Sequence, residues 1–190
     1  MTRLLVFILL LIWFHVSEYL LARRFHPGEV DKSSWLLSAP YVTAMACGVL
    51  EYSFSPFLWQ QVPQYFAVSL AWLGFVMMLG GEIIRKSAIL TARHNFTHKI
   101  ATKRRPEHRL CTAGVYSLVR HPAYSGFVLF SVGSQIWLGN VCCTVAFMII
   151  TWRFMALRIR VEDALLYKFF GEEWLAWKKQ VPFSGIPGVP

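Results

Sequence analysis

Two charged residues near the carboxyl-terminal end of the chain have types and spacing suited to binding an anion. Arg158 and Glu162 stand four positions apart, so in a helix both side chains lie on one face. A guanidinium holds an anionic group through two parallel hydrogen bonds and keeps its proton, which makes Arg158 a candidate anion-binding residue. The alternative interpretation is a surface ion pair, worth well under ~1 kcal/mol.

A second pair of opposite charges lies near the end of a long apolar run. Glu82 follows two glycines and precedes Arg85 by three positions. A carboxylate in apolar sequence is costly unless it is paired or faces a cavity. We therefore treat Glu82 and Arg85 as candidate substrate-binding residues. The alternative is a pair that satisfies itself at the end of a helix.

The third cluster is a run at residues 114–126 that reads Gly-Val-Tyr-Ser-Leu-Val-Arg-His-Pro-Ala-Tyr-Ser-Gly. Pro122 suits the first turn of a helix, and Gly126 allows a neighbouring backbone to approach closely. Arg120 and His121 therefore mark the entry to a helix. Taken alone, this cluster is equally compatible with a basic cap on a membrane helix.

The composition indicates where these clusters must be held. Hydrophobic residues make up 56% of the 190 residues and charged residues 15%, against roughly 45–50% and about 25% in soluble domains. The 8 Trp, 15 Phe and 7 Tyr supply more apolar surface than a core of this size buries. These values exclude a disordered chain, a disulfide-stapled secreted module and an ordinary cytosolic enzyme. They predict an all-α integral membrane protein.

Five apolar runs are candidate transmembrane helices, at residues 4–21, 34–50, 65–84, 123–138 and 141–157. The last two are separated by Gly139-Asn140 alone, which predicts a helical hairpin. The fourth run is short for ~30 Å of hydrocarbon, so it is either tilted or does not span fully. We expect one membrane domain with four successive parts: three spans (1–84), a connector (85–122), the hairpin (123–157) and a carboxyl-terminal segment (158–190).

Basic residues predict the orientation of these spans. The segments 22–33, 85–122 and 158–190, with residues just inside the helix ends, hold every Lys and Arg except Arg3, or 18 of the 19. Residues 51–63 hold none. The positive-inside rule therefore places the connector and the carboxyl-terminal segment in the cytosol. The net charge of +9 is explained by this flanking pattern rather than by a nucleic-acid partner.

Two further helices are expected on the cytosolic side. Residues 84–100 are predicted to continue the third span as an amphipathic helix at the membrane interface. Residues 158–179 are amphipathic as well, with a break at Gly171. The four cysteines show no CxxC or Cys/His spacing, so we expect no metal site.

Several of these stretches together resemble the isoprenylcysteine carboxyl methyltransferases, which are integral membrane enzymes of the endoplasmic reticulum. The matching parts, within about residues 80–183, are 90–98, 108–111, 116–126, the hairpin with Gly139-Asn140, 152–154, Arg158, Glu162 and 169–174. The Arg-His-Pro run with a downstream glutamate also occurs in phospholipid methyltransferases and sterol reductases. The histidine-rich connector favours the carboxyl methyltransferase branch.

The resemblance implies methyl transfer from S-adenosylmethionine to the α-carboxylate of a farnesylated or geranylgeranylated cysteine in processed CaaX proteins. The cofactor pocket would face the cytosol and be formed by the connector and the carboxyl-terminal helix. Arg158 would contact the substrate carboxylate. The resemblance assigns cofactor contact to His108, Arg109, Leu110, Cys111, Tyr116, His121, Pro122, Ala123, Tyr124 and Glu162. The chain departs from the family at Ala101, where a polar residue such as Gln is common, and, to a lesser degree, at Pro106 and Ala123.

The chemistry of such an acceptor agrees with the charged residues. An α-carboxyl group has a pKa near ~3.5, so it is an anion at neutral pH and needs no general base. It needs alignment, loss of water and a cation, which Arg158 or Arg85 supplies. The sulfonium of the methyl donor needs a negative or π-rich wall, for which Glu162, Tyr116 and Tyr124 are suited.

Three alternatives stay open from the sequence. A phospholipid N-methyltransferase uses the same cofactor, but its amine acceptor must lose a proton and is disfavoured beside Arg158 and Arg85. A sterol-reductase-like protein would use NADPH and is usually longer, with more spans. A non-catalytic scaffold or channel gives no reason for Arg158, Glu162, His121 and Tyr124 to occur together.

Overall fold

The computed structural model describes residues 2–59 and 63–190 of the chain, which form helices and no strands. Of the polar segment 51–63, residues 60–62 lie outside this description. The six α-helices are α1 (Arg3–Phe25), α2 (Ala39–Trp59), α3 (Gln64–Ala92), α4 (Pro122–Leu138), α5 (Val141–Phe170) and α6 (Glu172–Gln180). The predicted all-α class is confirmed, as are the two-residue link between α4 and α5 and the break at Gly171.

Four segments of the described chain are long and apolar enough to cross a membrane: Arg3–Phe25, Lys32–Phe54, Gln64–Asn95 and Val141–Phe170. Helix α4 has 17 residues and is shorter, as its sequence predicted. Because α4 is too short to count as a span, five apolar runs give four candidate membrane-spanning segments.

The second apolar run begins its helix later and ends it later than predicted. Residues Lys32–Trp35 form a 3-10 turn instead of the start of α2. Asp31 favours this turn because its carboxylate accepts the N–H of Ser33 at 2.8 Å. The helix then continues beyond Leu50 to Trp59, carrying Glu51 within it.

The predicted amphipathic helix over residues 84–100 is wrong beyond its first half. Helix α3 ends at Ala92 and a 3-10 turn covers Arg93–Asn95. Arg93 has a φ of 51°, a left-handed conformation that stops the helix. The side chain of Asn95 then accepts the N–H of Arg109 at 2.9 Å, which ties the irregular connector to the helix end.

The chain divides into two compact units. The first comprises Met1–Gly80 and Leu129–Ile150, and the second Gly81–Val128 and Thr151–Pro190. Within the first unit, α4 packs closely on α3 because both carry glycines. A β-carbon added at Gly74 would lie 2.4 Å from the backbone nitrogen of Trp137. Phe14 of α1 stacks on Phe130 of α4 with 4.9 Å between ring centroids.

The start of α5 is capped from within the first unit. The carboxylate of Glu51 accepts the N–H groups of Cys142 and Cys143, each at 2.7 Å. The side-chain amide of Asn140 donates to the Gly48 carbonyl and to Gln135, each at 2.8 Å. The two bonds to Glu51 satisfy backbone donors that the first turn of any helix leaves without an intrahelical partner, and the Asn140 bonds tie the link before α5 to α2 and α4.

In the second unit, residues 181–190 form a segment of bends and turns that we call the carboxyl-terminal strap. The N–H groups of Arg120 and His121 donate to the carbonyls of Phe183 and Ser184, at 3.1 and 2.9 Å. Ile186 and Val189 are buried in an apolar cluster with Tyr124, Met155, Ala156 and Ile159. The strap therefore packs against the beginning of α4 and against α5.

Gly126 has the close-packing role that its sequence position suggested. A β-carbon there would lie 2.5 Å from the carbonyl oxygen of Gly81 and 2.8 Å from the Cβ of Arg85. Only glycine allows α3 and α4 to approach this closely in the second unit.

Candidate active site

A cavity opens in the second unit among the connector, the start of α4, α5 and α6. Its empty space amounts to about 810 Å³, a figure that includes the solvent at its open mouth. Nine of the ten predicted cofactor-binding residues line it: His108, Arg109, Leu110, Cys111, Tyr116, His121, Ala123, Tyr124 and Glu162. Pro122, the tenth, is fully buried at the start of α4 and does not belong to the lining.

Sequence analysis assigned no cofactor contact to the other lining residues, although it named Ala101 as a departure from the family. They are Ala92, Asn95, Phe96, Thr97, Ile100, Ala101, Arg120, Leu165, Leu166, Phe169 and Trp177. Leu165, Leu166 and Phe169 follow Glu162 at helical spacing, so the face of α5 that carries Glu162 predicts them in retrospect. The connector residues carry no comparable signal, because their conformation is irregular.

A chain of hydrogen bonds links Arg158 to Glu162 through Tyr124. The Nε–H of Arg158 donates to the phenol oxygen of Tyr124 at 2.8 Å. The Tyr124 hydroxyl in turn donates to Oε2 of Glu162. A second nitrogen of the Arg158 guanidinium, Nη2, donates to the carbonyl of His98 in the connector. The two residues that the sequence pairs at i and i+4 are thus joined by a third side chain from another helix.

His121 stands beside this chain and is held by a carboxylate that the sequence did not single out. Its Nε2 lies 2.7 Å from Oδ1 of Asp163, and its Nδ1 lies 3.8 Å from Oε2 of Glu162. The imidazole stacks on the Tyr124 ring with 5.5 Å between centroids and 7° between planes. A neighbouring carboxylate of this kind fixes the orientation of the ring.

Asp163 is also the centre of a cationic cluster. Oδ2 lies 3.6 Å from Nη2 of Arg120 and 3.8 Å from Nζ of Lys178. The Arg120 side chain is only 1% exposed, and its Nη1 donates to the carbonyls of Val181 and Pro182 at 2.8 and 2.6 Å. This guanidinium therefore joins Asp163 to the strap.

Glu82 and Arg85 are both buried, but neither lines the cavity. Nη1 of Arg85 donates to the carbonyl of Ala123 at 3.1 Å. The carboxylate of Glu82 lies 3.5 Å from Nζ of Lys86. Arg85 thus touches the backbone of a lining residue, while the substrate-binding roles of both residues stay predictions.

Several lining groups are kept uncharged by their surroundings. Burial lowers the pKa of His108, and the nearby Arg105 and Arg104 lower it further. Burial likewise raises the pKa of the Cys111 thiol and of the Tyr116 phenol above their ordinary values. At neutral pH the cavity therefore presents a neutral imidazole, a thiol and a phenol, none of which is an activated nucleophile.

Three lining residues, His108, Arg120 and Trp177, carry buried polar atoms without a hydrogen-bond partner among the described residues, and in His108 and Trp177 these atoms have no ion pair either. Within residues 2–59 and 63–190, no group bonds to Nδ1 of His108 or to the indole Nε1 of Trp177. Both side chains are more than nine-tenths buried. A buried donor or acceptor without a partner is costly, and a ligand that bonds to it removes that cost.

The comparison with known families settles the class of protein. Residues 70–168 match the model of the isoprenylcysteine carboxyl methyltransferase (ICMT) family. The chain belongs to this family. The matched segment contains the hairpin, Arg158, Glu162 and Asp163, and it ends before α6 and the strap.

Individual relatives extend the match along the chain. Protein-S-isoprenylcysteine O-methyltransferase B of Arabidopsis thaliana is 43% identical over 182 residues, which cover 95% of this chain and 91% of the relative. The human protein-S-isoprenylcysteine O-methyltransferase is 37% identical over 178 residues, covering 93% of this chain and 62% of its own length. This ICMT-family chain is therefore similar in extent to the plant relative and shorter than the human one.

The fold matches as well. The solved structure of the eukaryotic intramembrane Ras methyltransferase ICMT superposes with a TM-score of 0.86 and 31% sequence identity. The match covers 96% of this chain and 65% of that one. The resemblance drawn from the sequence motifs is confirmed by all three comparisons.

Proposed function

We propose that this ICMT-family protein transfers a methyl group from S-adenosylmethionine to the α-carboxylate of a carboxyl-terminal prenylated cysteine. The observation that carries the proposal is the Arg158–Tyr124–Glu162 chain of hydrogen bonds, in which Tyr124 and Glu162 line the cavity and Arg158, which does not line it, is joined to it through Tyr124. It places a fixed cation and a carboxylate at opposite ends of one phenol. Esterification of an anion by a cationic methyl donor needs this combination.

The residues of the cavity fit S-adenosylmethionine. Glu162 and the Tyr116 ring would hold its cationic part, and His108 and Trp177 would supply hydrogen bonds from atoms that the protein leaves unused. When bound, S-adenosylmethionine supplies a methyl group on a sulfonium: the S–C bond breaks as the O–C bond forms, giving a thioether and a methyl ester without transfer of a proton. Ala101 lines the same cavity, so the family's polar residue is replaced at a wall of the site.

Arg158 is positioned to hold the acceptor. Its Nε–H and Nη2 donate to Tyr124 and His98, and the plane of the guanidinium is oriented for as long as both bonds are formed. No described residue bonds to Nη1. The end of the fork formed by Nη1 and the second hydrogen of Nη2 would therefore receive both oxygens of a carboxylate.

The site needs no general base for this reaction. The acceptor is already ionised at neutral pH because its pKa is near ~3.5. The raised pKa of Tyr116 and of Cys111 keeps these groups protonated. What the residues contribute is orientation, exclusion of water and a fixed charge.

The substrates that this assignment implies are processed CaaX proteins with a farnesyl or geranylgeranyl cysteine. A tail of ~15–20 carbons partitions into the bilayer because each buried CH₂ contributes about 0.8 kcal/mol. The basic connector and carboxyl-terminal segment support a cavity that faces the cytosol, and the family resemblance implies that the membrane is that of the endoplasmic reticulum. The lipid and the enzyme would thus meet in the same membrane.

An amine acceptor is disfavoured by the same geometry. A phospholipid N-methyltransferase would place a group that must lose a proton beside the guanidinium of Arg158. Reduction of a sterol would require a site for the 2′-phosphate of NADPH. The Arg158–Tyr124–Glu162 chain would have no role in that reaction. Neither alternative is supported by a contact within the cavity.

Methyl transfer by the purified full chain tests the proposal. Radiolabelled S-adenosylmethionine is offered with N-acetyl-S-farnesylcysteine, with its methyl ester, or with phosphatidylethanolamine. We expect label, released as methanol by base, only with the free acid. The methyl ester is the matched control because it lacks nothing but the carboxylate. Label in phosphatidylethanolamine, or no label from a folded sample, would contradict the proposal.

A further inference from the structure

The hydroxyl of Tyr124 has its hydrogen-bonding capacity divided between two side chains of α5. A phenol has one proton to donate and lone pairs to accept. Its proton goes to Oε2 of Glu162, and its oxygen receives the Nε–H of Arg158. The direction of each bond is therefore set: a carboxylate at Glu162 directs a lone pair of the phenol toward Arg158.

The Tyr124 ring is rigid, whereas the groups at the ends of the chain are less confined. The ring is buried among Met155, Ile159 and Ile186 and stacks on His121. The Glu162 side chain is 30% exposed, and Arg158 is half-buried. Ordering either end consequently restrains the other through a fixed bridge.

We infer that Tyr124 is a positioning residue that couples the two halves of the site, so that a ligand at Glu162 strengthens binding of a carboxylate at Arg158 and the reverse. A cationic ligand fixes the Glu162 carboxylate, and with it the phenol proton. The guanidinium is then already oriented when the acceptor arrives, so less conformational entropy is lost on the second binding event. This inference rests on the proposed function, because it takes the cation and the carboxylate to be the methyl donor and the prenylated acceptor.

Binding measurements test the coupling without turnover. The Kd of S-adenosylhomocysteine is measured by calorimetry with the full chain in nanodiscs, without and with saturating N-acetyl-S-farnesylcysteine. In the parent protein we expect the acceptor to lower this Kd on the order of fivefold or more, and the reciprocal experiment to give the same factor. In Tyr124→Phe the ratio of the two Kd values is expected to fall to about 1.

Tyr116→Phe is the matched control. It removes a phenol hydroxyl from the same cavity, but Tyr116 is not bonded to Arg158 or Glu162 within the described residues. We expect its coupling ratio to equal that of the parent protein even if its Kd for S-adenosylhomocysteine changes. A merely structural defect would weaken both Kd values of a variant together and leave their ratio intact.

A second variant addresses the same link from its other end. Arg158→Lys keeps the charge but has no Nε–H to give to Tyr124, so its coupling ratio, measured at acceptor concentrations that saturate this variant, is also expected to fall to about 1. This variant decides the matter if Tyr124→Phe does not fold. A ratio of 1 in the parent protein, or a parental ratio in these variants, would overturn the inference.

The two proposals fail in different ways. Absence of S-adenosylhomocysteine binding and of methyl transfer would contradict the proposed function. Normal methyl transfer with a coupling ratio indifferent to Tyr124→Phe would contradict the inference alone.

Discussion

Two carboxylates, one in each compact unit, illustrate how polar groups are used differently in this protein. Both oxygens of Glu51 accept backbone N–H groups from the first turn of α5. Glu162 lines a cavity and receives the hydroxyl of Tyr124 on one oxygen. The first carboxylate is saturated by the fold, whereas the second retains bonding capacity toward a ligand. Residual capacity beside a cavity, rather than burial or charge, distinguishes a site from a structural bond.

Two arginines of the second unit repeat the contrast. Arg120 is buried, and its Nη1 bonds to two carbonyls of the strap. Arg158 is fixed along one edge by Tyr124 and His98 and presents its other edge. We therefore expect Arg120 to stabilise the fold and Arg158 to act on the substrate.

Of the variants considered, Arg158→Lys should cause the largest loss of activity. Lysine keeps the charge but loses the planar fork, so the acceptor is attracted and misaligned, and we expect kcat to fall on the order of 10²-fold. The Kd of S-adenosylhomocysteine alone and the thermal midpoint should stay close to those of the parent protein. Lys179→Arg, a change at an exposed residue of α6, is the control and should leave kcat unchanged. Near-normal turnover of Arg158→Lys would make Arg85 the leading candidate.

Glu162→Ala should weaken binding of the methyl donor more than binding of the acceptor. Loss of a charged hydrogen bond of ~1.5–3 kcal/mol raises the KM for S-adenosylmethionine on the order of tenfold or more. Steady-state kinetics with each substrate varied in turn measure the difference. A selective rise in the KM for the prenylcysteine would reverse the assignment.

Glu51→Ala tests whether the carboxylate of the first unit contributes to stability and not to substrate binding. It removes the cap of α5, which we expect to lower the free energy of unfolding by ~1 kcal/mol. Neither KM should change, because Glu51 does not line the cavity. Thermal unfolding followed with a thiol-reactive dye, alongside the kinetics, separates the two carboxylates. A change in the KM for S-adenosylmethionine without loss of stability would contradict the structural role.

A smaller effect is expected from His108. Its pKa lies below the ordinary value of 6.5 in the folded protein, so between these two pKa values the unfolded chain binds a proton that the folded chain does not. The free energy of unfolding therefore decreases as the pH falls below about 6.5 and is fully retained above it. His108→Asn should flatten this dependence in thermal unfolding at pH 5.5 and 7.5. His94→Asn, at an exposed connector residue, should not.

The sidedness of the cavity predicts no effect at all in one assay. Asn95-Phe96-Thr97 is a glycosylation sequon, but a cytosolic connector would never meet the glycosylation machinery. Endoglycosidase treatment of protein made in eukaryotic membranes should leave its mobility unchanged. A shift would place the connector, and with it the cavity, on the opposite side.

The sequence predicted the helical class and the hairpin because these depend on local patterns, and its resemblance to the family predicted nine of the twenty residues that line the cavity. Arg158 and Glu162 were found through their helical spacing, and the segment around His121 through its motif. Asp163 was missed because adjacent residues of a helix point in different directions, and its partner His121 lies 42 positions away. The end of α3 was misplaced because a left-handed residue at Arg93 breaks a pattern that hydropathy alone continues.

The role of residues 181–190 was equally invisible in the sequence. The strap has no periodic pattern, and its contacts with Arg120 and His121 join residues more than sixty positions apart. Such contacts are set by tertiary packing rather than by local propensity. Arg120 itself looked like part of a basic cap, although its side chain is fully enclosed.

The hydrogen bonds between the strap and Arg120 and His121 make the opening rate of the site measurable by hydrogen exchange. Because the N–H groups of Arg120 and His121 donate to strap carbonyls, their hydrogens exchange with solvent only when the strap detaches. Both amides should therefore exchange at one shared rate, set by a single local opening. Since His121 and Arg120 are also walls of the cavity, this rate is the frequency with which that part of the pocket is dismantled and rebuilt.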